Sequence, residues 1–498
     1  MPKRLPIFYS AILLTGVNLL LRLVGTSFQV YISGRIGAEG VGLLQLVLSV
    51  GAMAMVAGMA GARTATMYLT AEELGKGRRE AVSWVLSGSF VYSILFSTII
   101  GIALFLFAPW LAENWIGNPG TVGALRVYAA FLPVFCLCGV MTGYFTAANR
   151  IATLAAVEVA EQIVAMGVTM AALSYWAGTS PARACVAVVA GTCAGSCVTL
   201  GILVLLRMKE NTFIGKRIPV ARRLVDTALP LAAADDLRTG INTAENLMVP
   251  RRLALCTAVE SPLGAFGIVS GMVFPILMFP SCILFALAEL LIPELARCAA
   301  ADSRNRIRYL TGRGLKVTLL YGLVFGGLEC LLAKPLCERL YGNVQAGEYL
   351  AVYGVLIPML YCDLITDAMV KGLGKQKISV RYNILTSTVD VLLLFFLLPK
   401  FGMEGYFVSF LITHVLNFVL SLRLLLSISG FRISPKAILC AVFASVFAGL
   451  AAGTLSGAGL RGTAYLLLLG SGLCLLGVTG AEDIRWIRGM ISRKTERT

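Results

Sequence analysis

The chain has 498 residues, 58% of them hydrophobic and only 14% charged, with a mean hydropathy of +0.84. Soluble domains carry about a quarter charged residues, so this composition excludes a soluble multidomain protein and makes lipid the main solvent. The formal charge of +16 would point to nucleic acid in a soluble chain, but here the basic residues stand in short loops between apolar runs. No basic stripe interleaved with aromatics offers a stacking platform. The positive-inside rule accounts for the charge, and no nucleic-acid partner is expected.

In chain order, Met1-Pro-Lys-Arg4 leads into an apolar run from Leu5 to Ile32. That run is too long for a signal-peptide core and reads as a first span left in place, near 6–32. At about 20 apolar residues per crossing, further spans are expected near 41–69, 82–107, 122–146, 151–177, 183–206, 224–249, 265–291, 313–333, 349–370, 380–398, 404–427, 435–455 and 462–481. This is an all-α polytopic membrane protein of about fourteen transmembrane helices. Gly and Pro punctuate its turns, as in Ile36-Gly-Ala-Glu-Gly40 and Ile116-Gly-Asn-Pro-Gly120. With both termini in the cytoplasm, 30 of the 42 Lys and Arg residues fall inside, 8 outside, and 4 (Arg22, Arg63, Arg126 and Arg238) in or near spans. That bias predicts an even number of spans in a cytoplasmic (inner) membrane.

The thirteen cysteines are scattered, mostly within apolar runs, without paired CxxC motifs. They predict neither a metal site nor a disulfide framework, and no cofactor is expected.

A shift of 225 residues aligns two segments without gaps. Leu111-Ala-Glu-Asn-Trp-Ile-Gly117-Asn118 meets Leu336-Cys-Glu-Arg-Leu-Tyr-Gly342-Asn343, and Pro133 meets Pro358. Eight of 23 positions are identical, where composition gives about two by chance. The shift pairs span 1 with 7, 3 with 9 and 4 with 10. A six-span repeat keeps one topology in both copies, the parallel arrangement of many secondary transporters, with a substrate site between the lobes. The expected organisation is an N-lobe over 1–223, a C-lobe over 224–430, and spans 13 and 14 with a basic cytoplasmic tail over 431–498.

Ionisable residues deep in spans cost about 3 kcal/mol at a helix centre and mark partners or wet cavities. Arg22 lies midway along span 1 and Arg238 midway along span 7, at similar depth in spans that the repeat makes equivalent. A guanidinium suits a phosphate, because its planar fork donates bidentate hydrogen bonds. The alternative is that both arginines pair with acidic neighbours; Asp235 stands three residues before Arg238. Asp235, Asp236 and Glu245 form the densest acidic group in any span, suited either to binding Na+ or H+ for coupling or to balancing Arg238, Arg251 and Arg252. Glu158 and Glu161 share one face of span 5 and suit a structural or gating use better than acid–base chemistry, since nothing completes an active site. Asp363, Asp367 and Asp390 are read the same way. His414, the single histidine, reads as a satisfied buried imidazole. Arg63 either snorkels or contacts substrate, and the Arg251-Arg252 pair suits an outer mouth or phosphate headgroups. No phosphate-binding loop for ATP and no nucleophile elbow is present, which speaks against an ATP-driven pump and an esterase.

Several segments resemble the stage V sporulation protein B family. They are Arg22-Leu-Val-Gly25, Gly34-Arg-Ile-Gly-Ala-Glu-Gly40-Val-Gly42-Leu-Leu-Gln45, Gly143-Tyr-Phe145 with Glu158 and Glu161-Gln162, Val249-Pro-Arg-Arg-Leu253, and Lys371-Gly-Leu-Gly-Lys375. That family belongs with the oligosaccharidyl-lipid flippases and lipid II flippases of the multidrug/oligosaccharidyl-lipid/polysaccharide exporter superfamily. The resemblance, over roughly residues 5–430, implies a V-shaped, two-lobed bundle. It implies a transporter and not an enzyme: a flippase carrying a lipid-linked oligosaccharide or a lipid II-like peptidoglycan precursor outward by alternating access, with cleft arginines on the pyrophosphate. Arg22 matches the family's span 1 arginine and Arg63 is a candidate for that of span 2. Span 8 carries no arginine between Gly264 and Leu291, a departure from lipid II flippases. Implied partners are the lipid-linked substrate, membrane lipids and cell-envelope synthases, with Na+ or H+ coupling. Two other readings stand beside it. A multidrug/cation antiporter of the same fold needs acids facing a cationic drug, and span 1 has none. A membrane glycosyltransferase or polymerase needs catalytic acids in a sizeable outer loop, and the outer loops are short.

Overall fold

The computed structural model describes residues 7–175, 180–209 and 220–479; among these the chain is helical, without a strand. Long apolar runs give the helices their length, and glycine and proline decide where they break. Helix α1 (Ile7–Met59) carries span 1 and most of span 2, interrupted at Gly37, whose φ of 70° is open to glycine. Helix α2 (Ala62–Gly75) completes span 2. Helices α3 (Arg79–Leu111), α4 (Val122–Ala147), α5 (Ile151–Tyr175), α6 (Pro181–Met208) and α7 (Val220–Leu253) are single spans. Span 8 is built from α8 (Pro262–Gly267), a π segment (Ile268–Val273), α9 (Phe274–Leu277) and α10 (Ser281–Ala300), bent by 60°. Helix α11 (Arg304–Tyr341) is span 9, and α12 (Val344–Gly354) with α13 (Ile357–Gly372) makes span 10, bent by 58°. Helix α14 (Gln376–Ser429) carries spans 11 and 12 across a break at Gly402; α15 (Pro435–Gly453) and α16 (Ala458–Leu475) are spans 13 and 14.

Among the described residues, nine helical stretches are long and apolar enough to cross a membrane, or eleven with the two bent pairs. Leu19–Gly75 and Gln376–Ser429, of 57 and 54 residues, are each long enough for two crossings at about 1.5 Å per residue and ~30 Å per crossing. Helix α7 stands outside that set because it carries Asp235, Asp236, Arg238 and Glu245. With it, the architecture is a polytopic helical bundle of about fourteen spans.

The repeat reappears as matched local geometry. Gly117 and Gly342 both adopt left-handed backbone, with φ of 80° and 62°. The next residue caps the following turn in each copy: Asn118 Oδ1 accepts from Gly120 N at 3.0 Å, and Asn343 Oδ1 from Ala346 N at 2.9 Å.

Lipid offers no water to the carbonyls that a helix break sets free, and neighbouring helices supply donors instead. Ala60 and Gly61, with φ of 41° and 74°, interrupt span 2, and Tyr92 Oη donates to Ala60 O at 3.0 Å. At the break between α9 and α10, Tyr361 Oη donates to Leu277 O at 2.9 Å and Tyr321 Oη to Pro280 O at 2.7 Å. In the π segment, Gln29 Nε2 donates to Gly271 O at 3.1 Å.

By proximity the chain forms two compact units: residues 1–272 with 387–409, and residues 273–386 with 410–498. The expected repeat lobes, 1–223 and 224–430, divide the chain by internal likeness instead, and the two divisions differ over 224–272 and 387–409. In the first unit α1 and α8 meet backbone to backbone. A Cβ on Gly42 would lie 2.3 Å from Leu263 O, and one on Gly267 2.1 Å from Ala38 O. The start of α7 is clamped to the end of α2: Arg223 Nη1 donates to Glu73 Oε1 at 2.9 Å and Nη2 to Glu72 Oε2 at 2.8 Å. In the second unit, α15 and α16 dock on α11 through buried Ala441, Ala444, Ala448 and Ala452. Tyr465 fills the notch at Gly327, donates to Leu323 O at 2.7 Å and accepts from Ser445 Oγ at 2.8 Å.

Gly267→Ala forces a methyl against a backbone oxygen that has no rotamer to escape through. It is expected to destabilise the protein by about 1–3 kcal/mol, read as a lowered melting midpoint in detergent. Gly34→Ala, where a Cβ meets nothing within 4 Å, should leave the midpoint unchanged; equal midpoints for both variants would contradict the close packing of α1 on α8.

Candidate functional site

The charged residues within spans concentrate in the first unit, and α7 holds more of them than any other helix. It leans on α1 through polar links: Thr243 Oγ1 donates to Ser49 O at 3.1 Å, and Asn246 Nδ2 to Ser49 Oγ at 3.0 Å. In its N-terminal third, Ala228 O lies where a Cβ on Gly61 would come within 2.3 Å, so glycine at the span 2 break lets α7 approach. These contacts set the rotation of α7. Asp235 and Arg238 are exposed, whereas Asp236 is half-buried with Oδ1 lacking a hydrogen-bond partner. Asp236 lies within electrostatic range of Tyr92, the tyrosine that caps Ala60. Among the described residues no ion pair joins Arg238 to Asp235 or to any other carboxylate, although Asp235 is well placed for one in sequence.

The other cations stand in different surroundings. Arg22 is exposed on α1. Arg63 is exposed in the first turn of α2, just past the Ala60–Gly61 break. Gly143 of α4 sits against it, since a Cβ there would lie 2.4 Å from Arg63 O. Glu158 of α5 is within electrostatic range of Arg63, so the charge of Arg63 is partly balanced inside its own unit. Glu161, one turn along α5, turns to α6: it accepts from Ser196 Oγ at 3.0 Å and Thr199 Oγ1 at 2.8 Å. The two glutamates share a helix face and serve different neighbours. At the end of α7, Arg251 is exposed, while Arg252 lies over the Phe395 ring, 3.3 Å from its centroid. Stacking anchors Arg252 and leaves Arg251 the more available of the pair.

One cluster pairs a residue singled out on α7 with groups that lie far away in sequence. Glu245 is hydrogen-bonded to Asp390 of α14. Asp390, 7% exposed, also accepts from Ser409 Oγ at 2.6 Å. Tyr406, hydrogen-bonded to Ser270, lies within electrostatic range of both acids. Two carboxyls in hydrogen-bond contact hold a proton between them; the same oxygens with the Ser409 hydroxyl offer a set suited to a small hard cation. Asp235 and Asp236, a few turns earlier on α7, take no part in this pair. Asp390 had looked structural in sequence, and Ser409 and Tyr406 carry no local signal. Only the pairing of α7 with the 387–409 segment makes the cluster visible.

In the second unit Asp363 accepts from Asn417 Nδ2 at 2.9 Å, and Asp367 pairs with Lys371 at 2.5 Å. His414 stacks on Phe410 with centroids 3.8 Å apart and its Nδ1 contacts Phe410 O at 2.9 Å. These residues have protein partners.

A family model described as "Polysaccharide biosynthesis protein" matches residues 8–235. The chain is 22% identical over 409 residues to Stage V sporulation protein B of Bacillus subtilis (strain 168), covering 79% of this chain and 78% of that one. It is 25% identical over 268 residues to a probable lipid II flippase MurJ of Rhizobium meliloti (strain 1021), covering 51% and 47%. Among solved structures, the lipid II flippase MurJ in an inward closed conformation superposes with a TM-score of 0.68 at 14% identity, covering 95% of this chain and 99% of that one. That likeness shows a shared fold.

Asp390→Ala removes the acceptor that serves both Glu245 and Ser409 and leaves buried polar groups without it. A loss of about 1–3 kcal/mol in stability is expected, while Asp390→Asn, which keeps an acceptor and adds a donor, should lose less. Thermal unfolding of the two variants in detergent checks this, and equal midpoints would contradict the hydrogen-bonded cluster.

Proposed function

We infer that this chain, a relative of the polysaccharide biosynthesis proteins, of Stage V sporulation protein B and of lipid II flippases, moves a lipid-linked sugar diphosphate from the inner to the outer leaflet. The observation that carries this reading is Arg238. It is a guanidinium midway along a membrane helix, exposed from that helix, with no ion pair among the described residues. Holding such a charge in lipid is costly, and a pyrophosphate gives it a partner that its planar fork matches. Arg22, at similar depth in the equivalent span of the repeat, is the second contact, and Arg63, partly balanced by Glu158, is the third. Arg251 and the stacked Arg252 receive the headgroup on the outer side, with both termini of the chain in the cytoplasm.

In this mechanism the headgroup enters from the cytoplasmic leaflet while its lipid tail stays in the bilayer. Alternating access then exposes the arginines to the outer side. The Glu245–Asp390 cluster carries the proton or Na+ whose gradient drives the return; Asp235 and Asp236 tune the charge around Arg238. The membrane potential contributes ~2.3 kcal/mol per charge per 100 mV. A lipid-linked oligosaccharide and a peptidoglycan precursor share the pyrophosphate chemistry and differ in the sugar.

Expression in a bacterium depleted of its own lipid II flippase tests the reading, with survival and outer-leaflet lipid II as readouts at matched membrane levels. Rescue by the wild type is expected, with at least a tenfold loss of rescue for Arg238→Ala and Arg22→Ala. Arg238→Lys should recover part of it, since a point charge replaces a bidentate fork. Full rescue by both alanine variants would remove the arginines from the mechanism. Failure of the well-expressed wild type, repeated when the precursor is replaced by other lipid-linked oligosaccharides in proteoliposomes, would overturn the flippase reading.

A further inference from the structure

Outside the charged cluster of the first unit, the second unit holds a buried carboxyl that no flipping step uses. Glu329 of α11 is 7% exposed, and its Oε2 is fully buried without a hydrogen-bond partner. It stands 12 residues from the end of α11 at Tyr341, about 18 Å along the axis, inside a stretch apolar enough to cross a membrane. We propose that Glu329 is a proton-binding site, and that the bound proton keeps α11 closed against the broken helix pair α12–α13.

The seam around Glu329 is unusually tight. A Cβ on Gly322 would lie 2.6 Å from Pro358 Cα, one on Gly326 3.1 Å from Gly354 O, and one on Gly347 2.8 Å from Lys334 Cα. Cys330 Sγ donates to Ala351 O at 3.4 Å. Glu329 sits within this run of contacts, where α11 crosses the 58° bend between Gly354 and Ile357. No donor reaches Oε2 in the closed seam, and an uncompensated buried charge costs several kcal/mol. The neutral acid carries no such charge. Removal of the proton therefore opens the seam or lets water into it, and reprotonation closes it.

The neighbouring groups leave the proton as the simplest occupant. On α11 itself, Tyr321, Cys330 and Cys337 lie within electrostatic range, none of them a cation. The elements packed on α11 carry Tyr349 and Tyr353 on α12, Tyr361, Cys362 and Asp363 on α13, Cys282 and Glu289 on α10, Cys440 on α15 and Tyr465 on α16. Their cations are engaged or distant: Lys334 pairs with Glu348, Lys371 with Asp367 and Arg297 with Glu294. Arg461 donates to Leu455 O, and Lys436 is exposed at the first turn of α15.

This inference does not rest on the flipping reading, and its test uses no transport. Purified wild-type protein and Glu329→Gln are compared in lipid nanodiscs across a pH series. One readout is the infrared carbonyl band of protonated carboxyls; the other is amide exchange over residues 344–359, corrected for the intrinsic pH dependence of exchange. The wild type should lose a carboxyl band and gain severalfold faster exchange in that segment as pH rises. Glu329→Gln should lack that band and hold slow exchange throughout. Glu329→Leu, which keeps bulk without polar atoms, should give the same flat profile and serves if the amide variant does not fold. An identical band and the same pH-dependent exchange in variant and wild type would overturn the assignment.

Discussion

A carbonyl released from a helix inside lipid has no water to turn to, and that constraint shapes the helix breaks in spans 2 and 8. Spans 2, 8 and 10 are broken, and spans 1–2 and 11–12 run through glycine interruptions. At the breaks near Ala60 and between α9 and α10, tyrosine hydroxyls from neighbouring helices reach across to the freed oxygens, and Gln29 does the same for the π segment. A tyrosine is suited to this work because its ring packs in apolar surroundings while its hydroxyl donates. The breaks are thereby discrete: each is either capped or exposed, so a change of shape at one of them exchanges a specific hydrogen bond.

The same solvent decides the treatment of charge. Three arrangements coexist. Arg223 and Glu72–Glu73 neutralise one another at the junction of α2 and α7. Glu245 and Asp390 associate as acids, which requires a shared proton or a cation. Arg238 is left without an ion pair among the described residues. The first arrangement holds helices together, the second buries a pair of acids against a hydroxyl, and the third leaves a cation exposed on its helix. All three involve α7, the one span too polar to qualify as a membrane helix on composition.

Much of this was legible from residues alone, because lipid makes hydropathy a strong signal. The fourteen apolar segments, the even repeat and the polar character of span 7 all follow from local composition. Gly117 and Asn118 matched Gly342 and Asn343 in sequence, and both pairs cap the same turn. The pairings were not legible. Asp235 seemed the obvious partner for Arg238 by helical spacing, yet both side chains are exposed on α7 and no ion pair joins them. Asp390 and Ser409 join Glu245 from about 150 residues further on, and no periodic pattern encodes that distance. Glu329 escaped notice because a single acid in an apolar run looks like an accident of composition until its enclosure is seen.

The hairpin of α15 and α16 meets the remainder of its unit at α11, through a strip of alanines and one tyrosine seated in the notch at Gly327. Its removal would uncap none of the broken spans, since Tyr465 serves an unbroken stretch of α11. The hairpin is thus a module clipped to a single rail. A chain of this architecture can gain or lose it in evolution with only a local change of α11, and an engineer can replace it with a tag or sensor whose one obligation is to fill the notch.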